Sequence, residues 1–310
     1  MRRRAALLMG AVLLVSACSS GATPSASTST APSEQPSAST GASESASAAA
    51  VTPIPGGLLD VVTKAGKIRV STDPQYPPQS QLKPDGTFEG FDIDVATEIA
   101  KRMGLQVEFS PQAWEAITAG SWGGRWDISV GSMTITSERE KILDFSPPYY
   151  YTPAQMAASK SSGITTLDGL AGKTVCVGQS TTYLSWLQGE KLDFGSLSPT
   201  TTPPAGVKVV TLKTDADCAQ QWAAGRKDFQ GWLTAKPTVE EAIKQKQPVE
   251  MVGDPVYAEP LAVAVDKSGP NDSDFMAKLD DIVKAMHADG TLTQLSMKWY
   301  GTDLTTVPGQ

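Results

Sequence analysis

The chain of 310 residues has a single histidine and only three cysteines. That excludes catalysis or metal binding built on several imidazoles, and it excludes a metal cluster made from the chain's own thiolates. A basic excess is also missing. Lys and Arg number 26 against 33 Asp and Glu, for a net charge of −7. Nothing there neutralises phosphates, so nucleic acid is not an expected partner. No stretch beyond the N-terminal leader is long and apolar enough to cross a bilayer, and no cofactor motif stands out. What remains, 40% apolar and 19% charged residues, is an ordinary globular composition with room for one or two domains. It rules out a wholly disordered chain, a collagen-like fibre and a small disulfide scaffold. The acidic residues are spread along the chain and imply solubility more than a partner.

The N-terminus reads as a targeting segment. Arg2, Arg3 and Arg4 precede an apolar run from Ala5 to Val15, at about 11 residues too short for a permanent membrane span. Val15-Ser16-Ala17-Cys18 follows, small residues directly before a cysteine. This resembles a lipoprotein signal: 1–17 would be removed and Cys18 acylated, each buried CH₂ contributing about 0.8 kcal/mol of membrane affinity. A plain secretory peptide cleaved near Ala17 is the alternative. Residues 18–56 after it are Ser, Ala, Thr and Pro with two charges, Glu34 and Glu44, and no aromatic residue. Such a segment cannot bury enough apolar surface to offset its ordering entropy. It is expected to be a tether with a reach of roughly 30–35 Å, holding a globular body off a membrane.

From Gly57 onward strands and helices alternate. Lys67 to Thr72 predicts a strand, and Asp92 is placed to cap a helix with apolar residues Ile93, Ala96, Ile99, Ala100 and Met103, closed by Gly104. Leu105, Val107 and Phe109 alternate as a strand, Trp114 opens a short helix, and Asp127 to Gly131 is a buried strand. Thr136 or Ser137 is expected to cap the next helix, and Ser137-x-x-Glu140 fits a capping box. A second unit begins near Pro153, with strands at Thr174–Val177, Val207–Leu212, Asp228–Leu233 and Leu261–Val265 and helices between them. Helices near Ser273–Ala288, which carries His287 on a solvated face, and Thr291–Trp299 close the chain. The alternation argues for mostly parallel sheets with helices on both faces, and the length suits two lobes.

Several segments occur in order: Thr72-Asp73-Pro74-Gln75-Tyr76-Pro77-Pro78, Gly90-Phe91-Asp92-Ile93-Asp94, Trp126-Asp127, Gly131-Ser132-Met133-Thr134-Ile135-Thr136-Ser137-Glu138-Arg139 and Asp144-Phe145-Ser146-x-Pro148-Tyr149. Gly172-Lys173-Thr174-Val175, Asp289-Gly290-Thr291 and Lys298-Trp299-Tyr300-Gly301 complete the series. Together, over roughly 58–303, they resemble the family-3 extracellular solute-binding proteins, receptors of polar amino-acid ABC importers. The resemblance implies an α/β, two-lobed periplasmic-binding-protein-like (type II) fold with two crossover strands and a central cleft. It places lobe 1 at 57–152 and 258–310 and lobe 2 at 153–257.

By that resemblance Arg139 holds the ligand carboxylate, a task suited to a planar, always-charged fork of donors. The residues alone also permit a surface arginine paired with Glu138 or Glu140. Gly131, Ser132 and Thr134 form the strand end beside it, where open α/β sheets bind ligands. Ser180, Thr181 and Thr182 lie between a strand and a helix, and the family places a second hold on the carboxylate there; simple N-capping is the bland reading. Asp73, Tyr76 and Trp114 match positions that touch the ligand's amino group or side chain, although Asp73 also suits a turn before Pro74 and Trp114 a core. The family usually has an Asp at the end of the lobe 2 strand, for the ligand's ammonium. Here Leu233 is aligned with it, beside Thr234. Either Asp73 then supplies the counter-charge, or the ligand is not a standard α-amino acid and Tyr76, Trp114, Tyr183 and Trp232 form an aromatic cage for a betaine- or ectoine-like cation, unless Trp232 packs in the lobe 2 core. Cys176 and Cys218, left after Cys18 in an exported chain, are expected to pair; two buried free thiols are the alternative.

The leading expectation is a monomeric, lipid-anchored receptor on the outer face of the cell membrane, on the periplasmic side if the host has two membranes. It would close its cleft on a small carboxylated ligand and dock on ABC permease transmembrane subunits. A dehydratase-like enzyme would need a poised acid or base in the cleft, and the missing carboxylate at Leu233 and the absence of a cleft His argue against it. A sensory module is the remaining rival.

Overall fold

The computed structural model describes residues 51–308; the leader, Cys18 and most of the expected tether lie outside them. The helices are α1 (Leu58–Ala65), α2 (Phe91–Met103), α3 (Trp114–Thr118), α4 (Thr182–Leu187), α5 (Asp215–Ala223), α6 (Lys236–Lys244), α7 (Ser273–Ala288) and α8 (Thr291–Tyr300). The strands are β1 (Lys67–Thr72), β2 (Gln75–Tyr76), β3 (Ser80–Leu82), β4 (Phe88–Glu89), β5 (Gln106–Pro111), β6 (Ile128–Thr134), β7 (Leu143–Phe145), β8 (Tyr150–Ser159), β9 (Thr174–Gly178), β10 (Lys208–Leu212), β11 (Gly231–Ala235), β12 (Val249–Met251) and β13 (Tyr257–Asp266).

The largest sheet is ordered β10-β9-β11-β8-β13-β6-β1-β5, with β12 beside β8 and β7 beside β13. Its outer pairs β1–β5, β1–β6, β9–β10 and β9–β11 are parallel, as alternating strands and helices demand. The long central strands β8 and β13 are antiparallel, in register from Ala154 against Tyr257 to Tyr150 against Leu261. They join two separate cores. Tyr150, Leu261, Val263 and Val265 pack with Ile68, Val70, Phe91 and Val130 in the first lobe. Ala154, Met156, Val256 and Tyr257 pack with Val175, Val177 and Leu233 in the second. Two hydrophobic cores strung on two shared strands make the two-lobed architecture, with the cleft between them.

Local rules account for most elements. Helix α2 buries Phe91, Val95, Ala96, Ile99 and Ala100, and ends where Gly104 takes a left-handed backbone and donates its N–H to the Ala100 carbonyl. Asp92 does not cap it. The cap position is Gly90, and Asp92 is fully buried within the first turn, accepting from Ser132 Oγ and from Tyr149 Oη, each at 2.7 Å. Nor does Ser137 open a capped helix. Residues Arg139–Lys141 form a single 3₁₀ turn, with Arg139 N donating to Thr136 Oγ1 at 3.2 Å. His287 is half-buried rather than solvated, its Nε2 lying 2.9 Å from the Pro148 carbonyl. Cys176 of β9 and Cys218 of α5 are disulfide-bonded.

Candidate functional site

Strand β6 is buried along its whole length. It delivers Gly131, Ser132 and Thr134 to the mouth of the cleft, and the 3₁₀ turn after it carries Arg139. Ser132 adopts a left-handed backbone, φ 56°, where the pairing of β6 with β13 is irregular. Such a conformation costs of order 1 kcal/mol or more for a residue with a side chain. The fold holds it in place from below. Ser132 N donates to Tyr149 Oη at 3.0 Å, and Ser132 Oγ bonds Asp92 and Tyr150 Oη. The Ser132 hydroxyl is therefore committed to the first lobe's interior and has no spare donor for a ligand.

The cavity between the lobes is lined by Asp73, Tyr76, Trp114, Gly131, Ser132, Thr134 and Arg139 from the first lobe. Gly178, Thr181, Thr182, Tyr183, Lys213, Thr214 and Asp215 line it from the second, and Glu259 of β13 completes it. It leaves about 40 Å³ of room for the centres of water-sized molecules. The lining takes in every predicted site residue except Ser180 and Trp232.

Arg139 is 9% exposed, not a surface helix residue. Its Nη1 donates to the Thr134 carbonyl at 2.9 Å and its Nη2 to the Ser180 carbonyl at 3.0 Å. Trp114 Nε1 donates to the same Ser180 carbonyl at 3.1 Å, and the guanidinium carbon lies 5.4 Å from the Trp114 ring centre. One carbonyl of the second lobe thus receives two donors from the first, and Ser180 meets the site through its backbone. A second bridge joins Gln79 and Thr238, through Nε2 to Oγ1 at 3.2 Å. Burial lowers the Arg139 pKa to about 10, which leaves it charged at neutral pH, and Glu259 opposes that shift.

The hydroxyls of the second lobe divide their work. Thr181 caps α4, accepting from Leu184 N at 3.2 Å and donating to the Gly178 carbonyl at 2.8 Å. Thr182 Oγ1 donates to Glu259, which also accepts from Thr134 Oγ1 at 3.1 Å. Glu259 stitches the two lobes together from the shared strand, and its pKa is raised by burial.

Two expectations on β11 are corrected. Trp232 does not reach the cavity. It is 0% exposed and packs with Cys176, Cys218, Trp222 and Phe229. The four-membered aromatic cage does not assemble, and only Tyr76, Trp114 and Tyr183 line the site. Leu233, its neighbour, projects to the other side of the strand and fills the opposite core with Val175 and Tyr183. The carboxylate expected there is replaced from elsewhere. Asp215, the first residue of α5, lines the cavity at 6% exposure, with Oδ1 accepting from Gly178 N at 2.6 Å. Burial pushes its pKa up to about 8, with Glu259 and Asp73 adding to the rise. Asp73, 7% exposed, accepts from Gln75 N at 2.8 Å, so it serves a turn and the cavity together; burial raises it to about 6. Asp73, Asp215 and Glu259 all lack a salt-bridge partner among the described residues.

Lys213, Thr214, Asp215 and Glu259 escaped sequence reasoning. The signal for the first three was a charged, hydroxyl-rich step from the end of β10 into a helix, where Thr214 and Asp217 form a reciprocal capping box. Glu259 carried one too: an acid inside an apolar strand run.

With the geometry in place, comparison with known proteins decides the lineage. The model of bacterial extracellular solute-binding proteins, family 3, matches residues 68–302. The chain belongs to this family. It is 31% identical over 252 residues to the L-cystine-binding protein TcyJ of Escherichia coli (strain K12), covering 80% of this chain and 88% of that protein. ABC transporter arginine-binding protein 1 of the same organism is 27% identical, with 76% and 91% covered. Among solved structures, the ancestral amino acid-binding protein AncCDT-1, a precursor of cyclohexadienyl dehydratase, superposes with a TM-score of 0.65 at 31% identity, covering 78% of this chain and 99% of that one. An ancestral arginine-binding protein bound to arginine gives a TM-score of 0.65 at 30% identity, with 76% and 99% covered.

Proposed function

We infer that this chain captures a polar α-amino acid outside the cytoplasm and presents it to the transmembrane subunits of an ABC importer. The observation that carries the reading is a buried guanidinium, Arg139, at the seam of a two-lobed cavity whose other charged groups are mostly carboxyls. A zwitterion matches that distribution: its carboxylate meets Arg139 and its ammonium the acids. The names of the relatives, which bind cystine and arginine, support the class. Asp73, Tyr76 and Trp114 form the wall for the ligand side chain, and the start of α4 at Thr181 and Thr182 adds second-lobe contacts when the cleft closes. Contacts made only in the closed form supply the differential affinity that shifts the equilibrium. We place the lobe borders at 152/153 and 257/258, and read 1–17 as a lipoprotein signal with Cys18 as the anchor of a monomeric receptor on the outer face of the cell membrane.

We read the protein as a receptor without turnover. One expectation behind that reading needs correcting, because the cleft does hold a second-lobe carboxyl, Asp215. The transport names of the relatives now carry that point.

The test is a thermal-shift screen of the purified protein against the standard amino acids, L-cystine and glycine betaine, with mass spectrometry of each bound compound after incubation. Stabilisation by one or a few L-amino acids recovered unchanged is expected. Stabilisation by betaine alone, or recovery of a converted product, would overturn the reading.

A further inference from the structure

We propose that Asp215 is the second-lobe counter-charge for the ligand's α-ammonium group, supplied from the start of α5 in place of the carboxylate that the family resemblance puts at the end of β11. This rests on the amino-acid reading above and adds the residue that reads the amino group.

Strand β11 cannot do the job. Trp232 and Leu233 are turned into two different apolar cores. Thr234 follows them, fully buried and beside both Asp215 and Tyr76, with no partner for its Oγ1 among the described residues. Asp215 reaches the same place from the adjacent loop. Its Oδ1 accepts from Gly178 N at 2.6 Å, the Thr234 hydroxyl stands beside it, and no cationic side chain among the described residues pairs with it. Gly178 is what lets it come so close. A Cβ at position 178 would lie 2.5 Å from Asp215 Oδ1, well inside contact distance. The carboxyl is buried, faces a cavity and has no salt-bridge partner. Such a group is costly unless a cation arrives to pair with it. An ammonium there would also complete Thr234, whose hydroxyl can accept one of its three N–H donors.

Asp73 is the competing candidate. It sits on the first lobe in a turn, on the wall assigned to the ligand side chain. The two roles separate in an experiment with ligand pairs that differ only in the α-ammonium. Calorimetry would compare wild type, Asp215→Asn and Asp73→Asn with three pairs: L-arginine and 5-guanidinopentanoate, L-cystine and 3,3′-dithiodipropionate, and L-glutamine and glutaramate. For the amino acid that binds wild type best, Asp215→Asn is expected to weaken binding roughly 100-fold, while its affinity for the des-amino partner stays within about threefold of wild type. The retained des-amino binding doubles as proof that the variant folds. Equal losses for both members of the pair, no loss in Asp215→Asn, or a loss confined to Asp73→Asn would each overturn the assignment. A wild-type protein stabilised by none of the standard amino acids or L-cystine would bring down the amino-acid reading itself.

Discussion

The two walls of the cavity solve the same problem by opposite means. The first-lobe wall presents a cation, Arg139, on a loop backed by a buried polar network of Asp92, Tyr149, Tyr150 and Ser132. The second-lobe wall presents a carboxyl, Asp215, on a helix start that leans on a glycine and is pinned to the neighbouring strand by a disulfide. In the first lobe, side chains hold the backbone in an awkward shape. In the second, the absence of a side chain at 178 makes room for the carboxyl. The difference teaches that a wall built from side chains tolerates loss of a hydrogen bond, whereas a wall built around a missing Cβ does not tolerate gain of one methyl group.

Arg139→Ala should break the comparison outright, because it removes the first wall's charge and leaves the ligand's carboxylate without a counter-ion. Binding of the best amino acid should weaken by about 100-fold or more, measured by calorimetry, while the ligand-free protein still unfolds in one cooperative step. Full ligand-induced stabilisation in that variant would sink the assignment. Gly178→Ala comes next. Its Cβ displaces the Asp215 carboxyl, so affinity should drop about tenfold although no charge has been removed; unchanged affinity would mean the carboxyl has slack. The pH response is smaller. Asp73, Asp92 and Asp215 are raised by burial to about 6, 7 and 8, so between about pH 4 and 8 the native state binds more protons than the unfolded chain, and stability falls as pH rises. The ligand-free melting temperature should be lower at pH 8 than at pH 5.5, and a saturating amino acid should shrink the gap. A flat or rising profile would contradict these three carboxyls. The smallest effect on binding belongs to Trp232→Phe, which should cost about 1–3 kcal/mol of stability and leave affinity unchanged, since the ring never meets the cavity.

The first wall was the more legible in the sequence. Arg139, Gly131, Ser132 and Thr134 sit within nine consecutive residues, so one motif located them together. The alternation of strands and helices gave the fold class, and Cys176 with Cys218 could be paired by elimination. The second wall was legible at Thr181, Thr182 and Tyr183, but its acid was hidden because the remaining residues come from separate loops. Asp215 and Gly178 lie 37 positions apart and meet through a single hydrogen bond. Reading β11 as the carrier of the acid failed at Leu233, because the pleat sends that side chain into a core and no spacing rule says which neighbouring loop compensates. Asp92 misled in another way. Its place near a helix start suggested a cap, yet its partners, Ser132 and Tyr149, arrive from 40 and 57 residues downstream. Glu259 likewise is explained only by the hydroxyls it joins across the cleft.

The Cys176–Cys218 bond ties β9 just ahead of Gly178 to α5 just past Asp215. The stretch between them becomes a closed ring of chain, drawn together again where Gly178 N meets the Asp215 carboxyl. We expect the motion that admits and releases a ligand to be carried by β8 and β13, the two strands that both lobes share. In any sensor built from this receptor, a reporter placed across those strands would follow occupancy, while one placed inside the ring would stay silent.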